Sequence, residues 1–360
     1  DLSFDLQPTP LLALAGIINS VFTIIGVLLI PVSISLVYIH YRRKGRDENF
    51  PKTIIPEFNP PDNISPYLLG SLKDESVDKE DIAGSIIDLA YKGYLKIKKL
   101  SDNKYELIRT EKSDKDLSEV EKDILQGIFT GNESTDTKKM AATFPYKYYS
   151  ITQKIYSELV TKGYFKESPQ KTTGKYAGCG ILVMVFGVIG FIGISAVITG
   201  IFGSFSIFTL GFAMAVLGFS LLIAAKYMPA KTELGSKIFA KVLGFRMYMH
   251  TAERFRVQKL EPEDFEKYLS YAIVFGIENE WAKKFEGLYN SVPDWYEGDN
   301  VGDIYNAYLI SSIARSFTNS TVSAFNLPTQ SASGSGWSGS SGSFGGFSGG
   351  GGGGGSSGGW

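Results

Sequence analysis

The chain has almost no cysteine and almost no histidine, and three long stretches of it carry no charge. The single cysteine, Cys179, excludes an intrachain disulfide and suits a reducing compartment. With only His40 and His250 beside it, the composition argues against a His/Cys metal site and supplies no Ser/His/Asp arrangement. The stretches Leu11 to Ile39, Ala177 to Thr199 and Ser206 to Ala225 contain no Asp, Glu, Lys or Arg. Each approaches or exceeds the ~20 apolar residues that a helix needs to cross a ~30 Å hydrocarbon core. Net charge is missing too: 36 Lys and Arg against 37 Asp and Glu leave −1, which argues against a chain dominated by nucleic-acid electrostatics.

The charges that are present flank these stretches and set a direction. Arg42, Arg43, Lys44 and Arg46 follow the first, Lys171 and Lys175 precede the second, and Lys226 and Lys231 follow the third. Basic residues accumulate on the cytoplasmic side of spanning helices. The expectation is a multi-pass protein of the bacterial cell (inner) membrane, with its N-terminus outside and its C-terminus cytoplasmic. The uncharged joint at 200–205 is too short for a domain, so 177–225 reads as a helical hairpin. A buried hairpin of a soluble domain is disfavoured, because Gly178, Gly180, Gly187 and Gly190 would each weaken such a helix by up to ~1 kcal/mol. Gly211 and Ala215 give a small-xxx-small spacing that can seat the hairpin helices together or dimerise them, which leaves a homo-oligomer open. A start at Asp1 rather than Met, just ahead of a span, reads as a fragment, since an outward N-terminus needs a signal peptide or a preceding outer region.

The resulting divisions are an outer stub at 1–10, a span at 11–39, a basic flank and Pro-rich linker at 40–66, and a soluble segment at 67–175. Spans at 177–199 and 206–225 follow, then a helical segment at 226–330 and a Gly/Ser-rich tail at 331–360. Pro51, Pro56, Pro60, Pro61 and Pro66 make the linker stiff and extended. Asp81 to Lys92 puts Ile82, Ile86, Leu89 and Ala90 on one helical face and stops at Gly93. Tyr94 to Leu100 and Tyr105 to Thr110 then read as a hairpin. Helix, glycine, hairpin is the order of a winged helix, and Thr161 to Lys166 echoes Tyr91 to Lys96, which suggests a divergent tandem. Its second helix is expected near Tyr146 to Lys162, after a leading helix at about Leu117 to Phe129.

Nucleic acid is disfavoured as a partner. The candidate recognition helix is expected to expose Ser85 and Asp88 and follows Asp74, Glu75, Asp78, Glu80 and Asp81, which would repel phosphates. Lys96, Lys98, Lys99, Lys147, Lys154 and Lys162 argue the other way.

Beyond the hairpin, Thr232 to Glu253 reads as one helix with Ile238, Val242, Phe245 and Met249 inward. Its other face carries Lys237, Lys241, Arg246 and Arg254, a candidate contact for anionic lipid and equally a solvated face. Glu261, Pro262, Glu263 and Asp264 start a helix that Gly276 ends, and Trp281 and Phe285 anchor a short one. Glu263 and Glu266 read as ordinary solvated positions, and His250 as a surface histidine with no nucleophile beside it. Ile304 to Phe317 either docks on the domain or lies at the membrane interface. The tail is expected to be disordered, with no strand, helix or Gly-Lys-Ser/Thr to make it a phosphate loop.

The order of these parts resembles the bacterial predicted membrane proteins gathered as domain-of-unknown-function family 2207. The residues that carry it are Ile55-Pro56-Glu57-Phe58, Ile87-Asp88-Leu89-Ala90-Tyr91-Lys92-Gly93-Tyr94-Leu95, Thr232 to Met249, Phe265 to Gly276, Trp281 and the tail closing on Trp360. The resemblance implies an extracytoplasmic β-rich domain before the first span and supplies no catalytic residue.

The fold expected is therefore a mainly α membrane protein: one N-terminal transmembrane helix, a cytoplasmic winged-helix-like α+β domain, a two-helix hairpin, a helical segment and a disordered tail. The expected function is non-enzymatic, a scaffold or signal relay with no catalytic, cofactor or metal residues. Its partners are the lipid bilayer and an unidentified protein. The alternative is a membrane-tethered regulator that touches nucleic acid through winged helices.

Overall fold

A computed structural model describes residues 10–101, 103–190, 206–255, 261–298 and 305–326. Residues 1–9 of the outer stub, the hairpin joint, the last part of the 177–199 span and the Gly/Ser tail lie outside the described residues.

Helix α1 (Pro10–Lys44) carries the first apolar stretch and ends in Arg42, Arg43 and Lys44. Helices α2 (Pro66–Asp74) and α3 (Lys79–Tyr91) precede a hairpin of β1 (Leu95–Ser101) and β2 (Lys104–Arg109). Next come α4 (Glu119–Phe129), β3 (Ser134–Asp136) and α5 (Thr137–Thr161), then the hairpin helices α6 (Pro169–Ile189) and α7 (Ser206–Ala225). The chain continues through α8 (Glu233–Phe255), α9 (Pro262–Phe275), α10 (Glu278–Lys283), β4 (Tyr296–Glu297) and α11 (Ala307–Ala324). Two helical stretches, Thr23–Lys44 and Pro169–Ile189, are long and apolar enough to cross a membrane, and Thr209–Ala225 is a shorter apolar one. Ile24, Leu28 and Leu36 of α1 and Leu182, Phe186, Phe219 and Ile223 of the hairpin are exposed, as lipid-facing side chains must be.

Close backbone approach holds the hairpin. A Cβ on Gly187 would meet the main chain of Gly211 and Ala215, and one on Gly218 would meet that of Met184 and Gly180. The spacing of Gly211 and Ala215 therefore seats α7 on α6, as small residues do in apolar surroundings. Helix α1 lies on α7 at Gly26 and Thr209, and His40 Nε2 sits 2.9 Å from Tyr176 Oη of α6.

The soluble helices start and stop for local reasons. Ser118 and Glu121 of α4 form a reciprocal capping box at 3.2 and 2.8 Å, and Asp136 caps α5 through the Lys139 N–H at 2.8 Å. Gly93, Gly163 and Gly276 hold φ of 80°, 74° and 67° just past α3, α5 and α9, where a side chain would be strained. The cap at Asp136 starts α5 nine residues before Tyr146, so the helix expected there begins earlier and runs through Pro145, with Met140 and Phe144 buried upstream.

One core takes in both soluble segments. It runs from Ile64 to Phe325 and includes Tyr67, Ile86 and Leu159 from before the hairpin and Phe245, Leu269, Trp281 and Phe317 from after it. Helix α11 docks on this core. Phe317 meets Tyr105 edge on at 5.4 Å, and Phe325 stacks on Phe144 at 4.4 Å. The sheet order is β3-β2-β1-β4, so the expected hairpin gains a short strand on each side. β4 pairs parallel to β1, with Ile97 opposite Tyr296.

Helix α3 forms where expected, but every residue from Asp81 to Ala90 is buried, including Ser85 and Asp88, which were expected to face solvent. Ser85 Oγ donates to the Asp81 carbonyl at 2.8 Å and Lys92 pairs with Asp88 at 2.7 Å. The helix passes under α9 and α11, and no face remains free to enter a groove. The proline linker also has a fixed course. Gly244 of α8 is pressed on the Ile55 carbonyl, Phe58 meets the Tyr248 ring at 5.1 Å, and Asn59 Oδ1 accepts from Tyr268 Oη at 2.6 Å.

Candidate functional site at the membrane junction

Four chain segments meet where the apolar helices join the soluble core, and Lys231 is at their centre. Its side chain is only 2% exposed, so it is no solvated flank like the other basic residues beside the spans. The ammonium pairs with Glu75, lies 3.8 Å from Asp47 Oδ2 and sits 4.4 and 5.5 Å from the ring centroids of Phe239 and Phe165. A buried ammonium without such partners would be costly. The backbone is engaged as well: Lys231 N donates to Asp47 Oδ1 at 2.8 Å, and Glu48 N donates to the Lys231 carbonyl at 3.1 Å.

This residue joins the exit of α1, the end of α2, the exit of α5 and the exit of the hairpin. Phe165 forms an isolated antiparallel bridge with Lys231. Thr232 N donates to the Tyr164 carbonyl at 3.0 Å and Thr232 Oγ1 to that of Gly163 at 2.6 Å, while the same hydroxyl accepts Gly235 N at 3.0 Å to cap α8. Glu75 ends α2 with φ 60°, a left-handed conformation that favours glycine, yet keeps the carboxylate that Lys231 needs. Burial pushes the Glu75 carboxyl upward, against the pull of the Lys231 charge.

The remaining flank residues lie as follows. Arg42, Arg43, Lys44, Arg46, Lys171, Lys175 and Lys226 are exposed at one end of the three apolar helices. Arg42 lies over the Tyr38 ring at 5.9 Å. A cavity of about 370 Å³ opens among Arg43, Lys44, Arg46, Lys166, Lys175 and Lys231. On α8, Lys237, Lys241 and Arg246 are exposed and Lys237 pairs with Glu233 at 2.8 Å; the side chain of Arg254 lies outside the described residues. His250 is exposed on the same helix.

The chain matches the family model described as "Predicted membrane protein (DUF2207) C-terminal domain" over residues 53–285. The chain belongs to the DUF2207 family. No curated protein and no solved structure matches it. The matched region holds the whole Lys231 junction except Asp47 and Glu48, whereas α11, outside it, completes the DUF2207 core in this chain.

Two further polar clusters were not read from the sequence. Lys92 joins Asp88 to Glu121 at 3.0 Å, and Tyr67 Oη continues the chain to Ser118 and Glu158, each at 3.1 Å. Burial alone would push Glu121 upward, but Lys92 and the Ser118 N–H hold it below its ordinary range. Glu266, expected to be solvated, accepts from Tyr289 Oη at 2.6 Å and Trp295 Nε1 at 3.0 Å, and burial raises its pKa. Its neighbour Glu263 is exposed as expected. The partners of Glu266 are 23 and 29 residues away in sequence, beyond the reach of any helical period.

Proposed function

We propose that this protein is a non-enzymatic relay of the bacterial inner membrane, with its soluble core in the cytoplasm and its chain start outside. One observation carries the reading: the buried Lys231 ties α1, the hairpin exit and two helices of the core into a single polar joint. A shift of α1 relative to the hairpin moves Asp47 against Lys231, and the Lys231 pair with Glu75 passes that displacement to α2. The orientation is supported by Arg42, Arg43, Lys44, Arg46, Lys171, Lys175 and Lys226, exposed on the core side of the apolar helices. The output of such a relay is a protein partner on the core.

Affinity capture from mild detergent tests this. The wild type retains a defined set of protein partners, and Lys231→Met/Glu75→Gln/Asp47→Asn, which removes the cation together with both of its acids, changes that set in protein that still unfolds cooperatively. Background alone from the wild type, or the same set from both proteins, sinks the reading.

A further inference from the structure

The junction has a second feature that the relay does not use. Six basic side chains line the cavity of about 370 Å³, against the acids Glu48 and Glu167. Lys231 is neutralised by Glu75 and Asp47, and Lys166 by Glu48. Arg43, Lys44, Arg46 and Lys175 have no ion-pair partner among the described residues. Glu167 offsets one of these four, and the positive charge left around the concavity attracts an anion, while guanidinium groups match phosphate oxygens two at a time.

Next to this cavity an apolar groove of about 600 Å³ runs between α1 and α7, past Ile34, Val37, Tyr41, Phe219 and Ile223 to Tyr227. The two share no lining residue but lie close at the ends of both helices: Tyr41 of the groove is three residues before Lys44 of the cavity on α1, and Tyr227 of the groove precedes Met228 of the cavity. The groove is almost wholly apolar and lies along helices that face lipid. A soluble phosphate would use only the cavity, whereas an acyl chain in the groove and a phosphate in the cavity belong to one molecule.

We infer that this junction is a specific site for an anionic phospholipid, with the headgroup phosphate held by Arg43, Lys44, Arg46 and Lys175 and an acyl chain laid between α1 and α7. Basic pockets between membrane helices bind acidic headgroups in this manner. The site differs from the exposed basic face of α8, whose Lys237 is already paired with Glu233. It stands whether or not the relay reading holds, because it needs only the cavity, the groove and a membrane.

The test is native mass spectrometry of the full chain released from mixed micelles that hold equal phosphatidylglycerol and phosphatidylcholine. Expected is retention of phosphatidylglycerol over phosphatidylcholine by tenfold or more. Arg43→Gln/Arg46→Gln/Lys175→Gln should abolish that preference, and Lys237→Gln/Lys241→Gln/Arg246→Gln should keep it. All six positions are exposed; if the first triple variant fails to fold, Lys175→Glu alone should lower the preference severalfold. Inorganic phosphate should not displace the lipid. Equal retention of the two lipids by the wild type would overturn the proposal. So would an unaltered preference in the pocket variants, or displacement by phosphate, which would mark a free-anion site.

Discussion

Lys231 Nζ donates to Glu75 across 156 residues of sequence, and the intervening chain leaves the soluble core, forms two apolar helices and returns. The pair closes a loop that no local interaction defines, and both partners are charged groups mostly removed from water. The cost of breaking it follows from that burial. Lys231→Ala leaves Glu75 and Asp47 facing each other without a cation, and a loss of ~3–5 kcal/mol in denaturant unfolding is expected. Lys231→Met/Glu75→Gln should recover at least ~1 kcal/mol of it. If the double variant is as unstable as the sum of its singles, the two residues are not coupled.

Titration of the buried acids gives a second expectation. Burial, together with the charge of Asp78, pushes the Asp81 carboxyl well above the ordinary carboxylate range, against the bond from the Asp78 N–H. Asp88 is raised by burial as well, against the pull of Lys92. A carboxyl raised on folding holds its proton more tightly in the native state. Its contribution is complete below the unfolded-state pKa of ~4 and is lost as pH rises through the folded-state value. Glu121, which is lowered, acts in the opposite sense, losing its contribution as pH falls. Urea unfolding from pH 4 upward should show that Asp81→Asn flattens the decline of stability with rising pH, and a slope equal to wild type would exclude Asp81 as its source.

Packing of the hairpin makes a third. Gly218 faces the main chain of Met184 and Gly180, so Gly218→Leu must push α7 off α6. Overpacking of this kind costs ~1–3 kcal/mol. Disulfide trapping between cysteines placed on facing turns of α6 and α7 should fall in the variant, while Gly178→Leu, where no described atom lies within 4 Å of the added Cβ, should leave it unchanged. Equal trapping in both would show that the close approach is dispensable.

The helix beyond the family match should matter for stability. Phe317 is 1% exposed against Tyr105, and Phe325 stacks on Phe144. Phe317→Ala should cost ~3–5 kcal/mol, and a chain ended at Asn306 should melt earlier or fail to fold. An unaltered melting temperature after that truncation would mean that α11 is an accessory to a core complete without it.

Topology reporters decide the orientation. Fusions at Gly203 should be active only outside the cytoplasm and fusions after Asn326 only within it; an outward C-terminal reporter would reverse the compartments.

What local composition and period determine was legible in the residues alone. The described parts of the apolar stretches lie in α1, α6 and α7, the four-and-three spacing of Ile238, Val242, Phe245 and Met249 became the buried face of α8, and Gly93, Gly163 and Gly276 ended their helices. These outcomes depend on neighbours a few positions away, and the sequence prints such neighbours side by side. The tertiary structure decided the rest. Lys231 carries the same charge as Lys226 and follows the same span, yet one is buried in an ion pair and the other is exposed. Asp88 reads as a solvent-facing carboxylate until the fold buries it beside Lys92, and Glu266 until Tyr289 and Trp295 are brought to it. Whether a charge is a flank, a bridge or a bare cation in a cavity depends on which distant segment covers it. That covering is fixed by the shared core of the two soluble segments, whose contacts span the hairpin and leave no period in the sequence between.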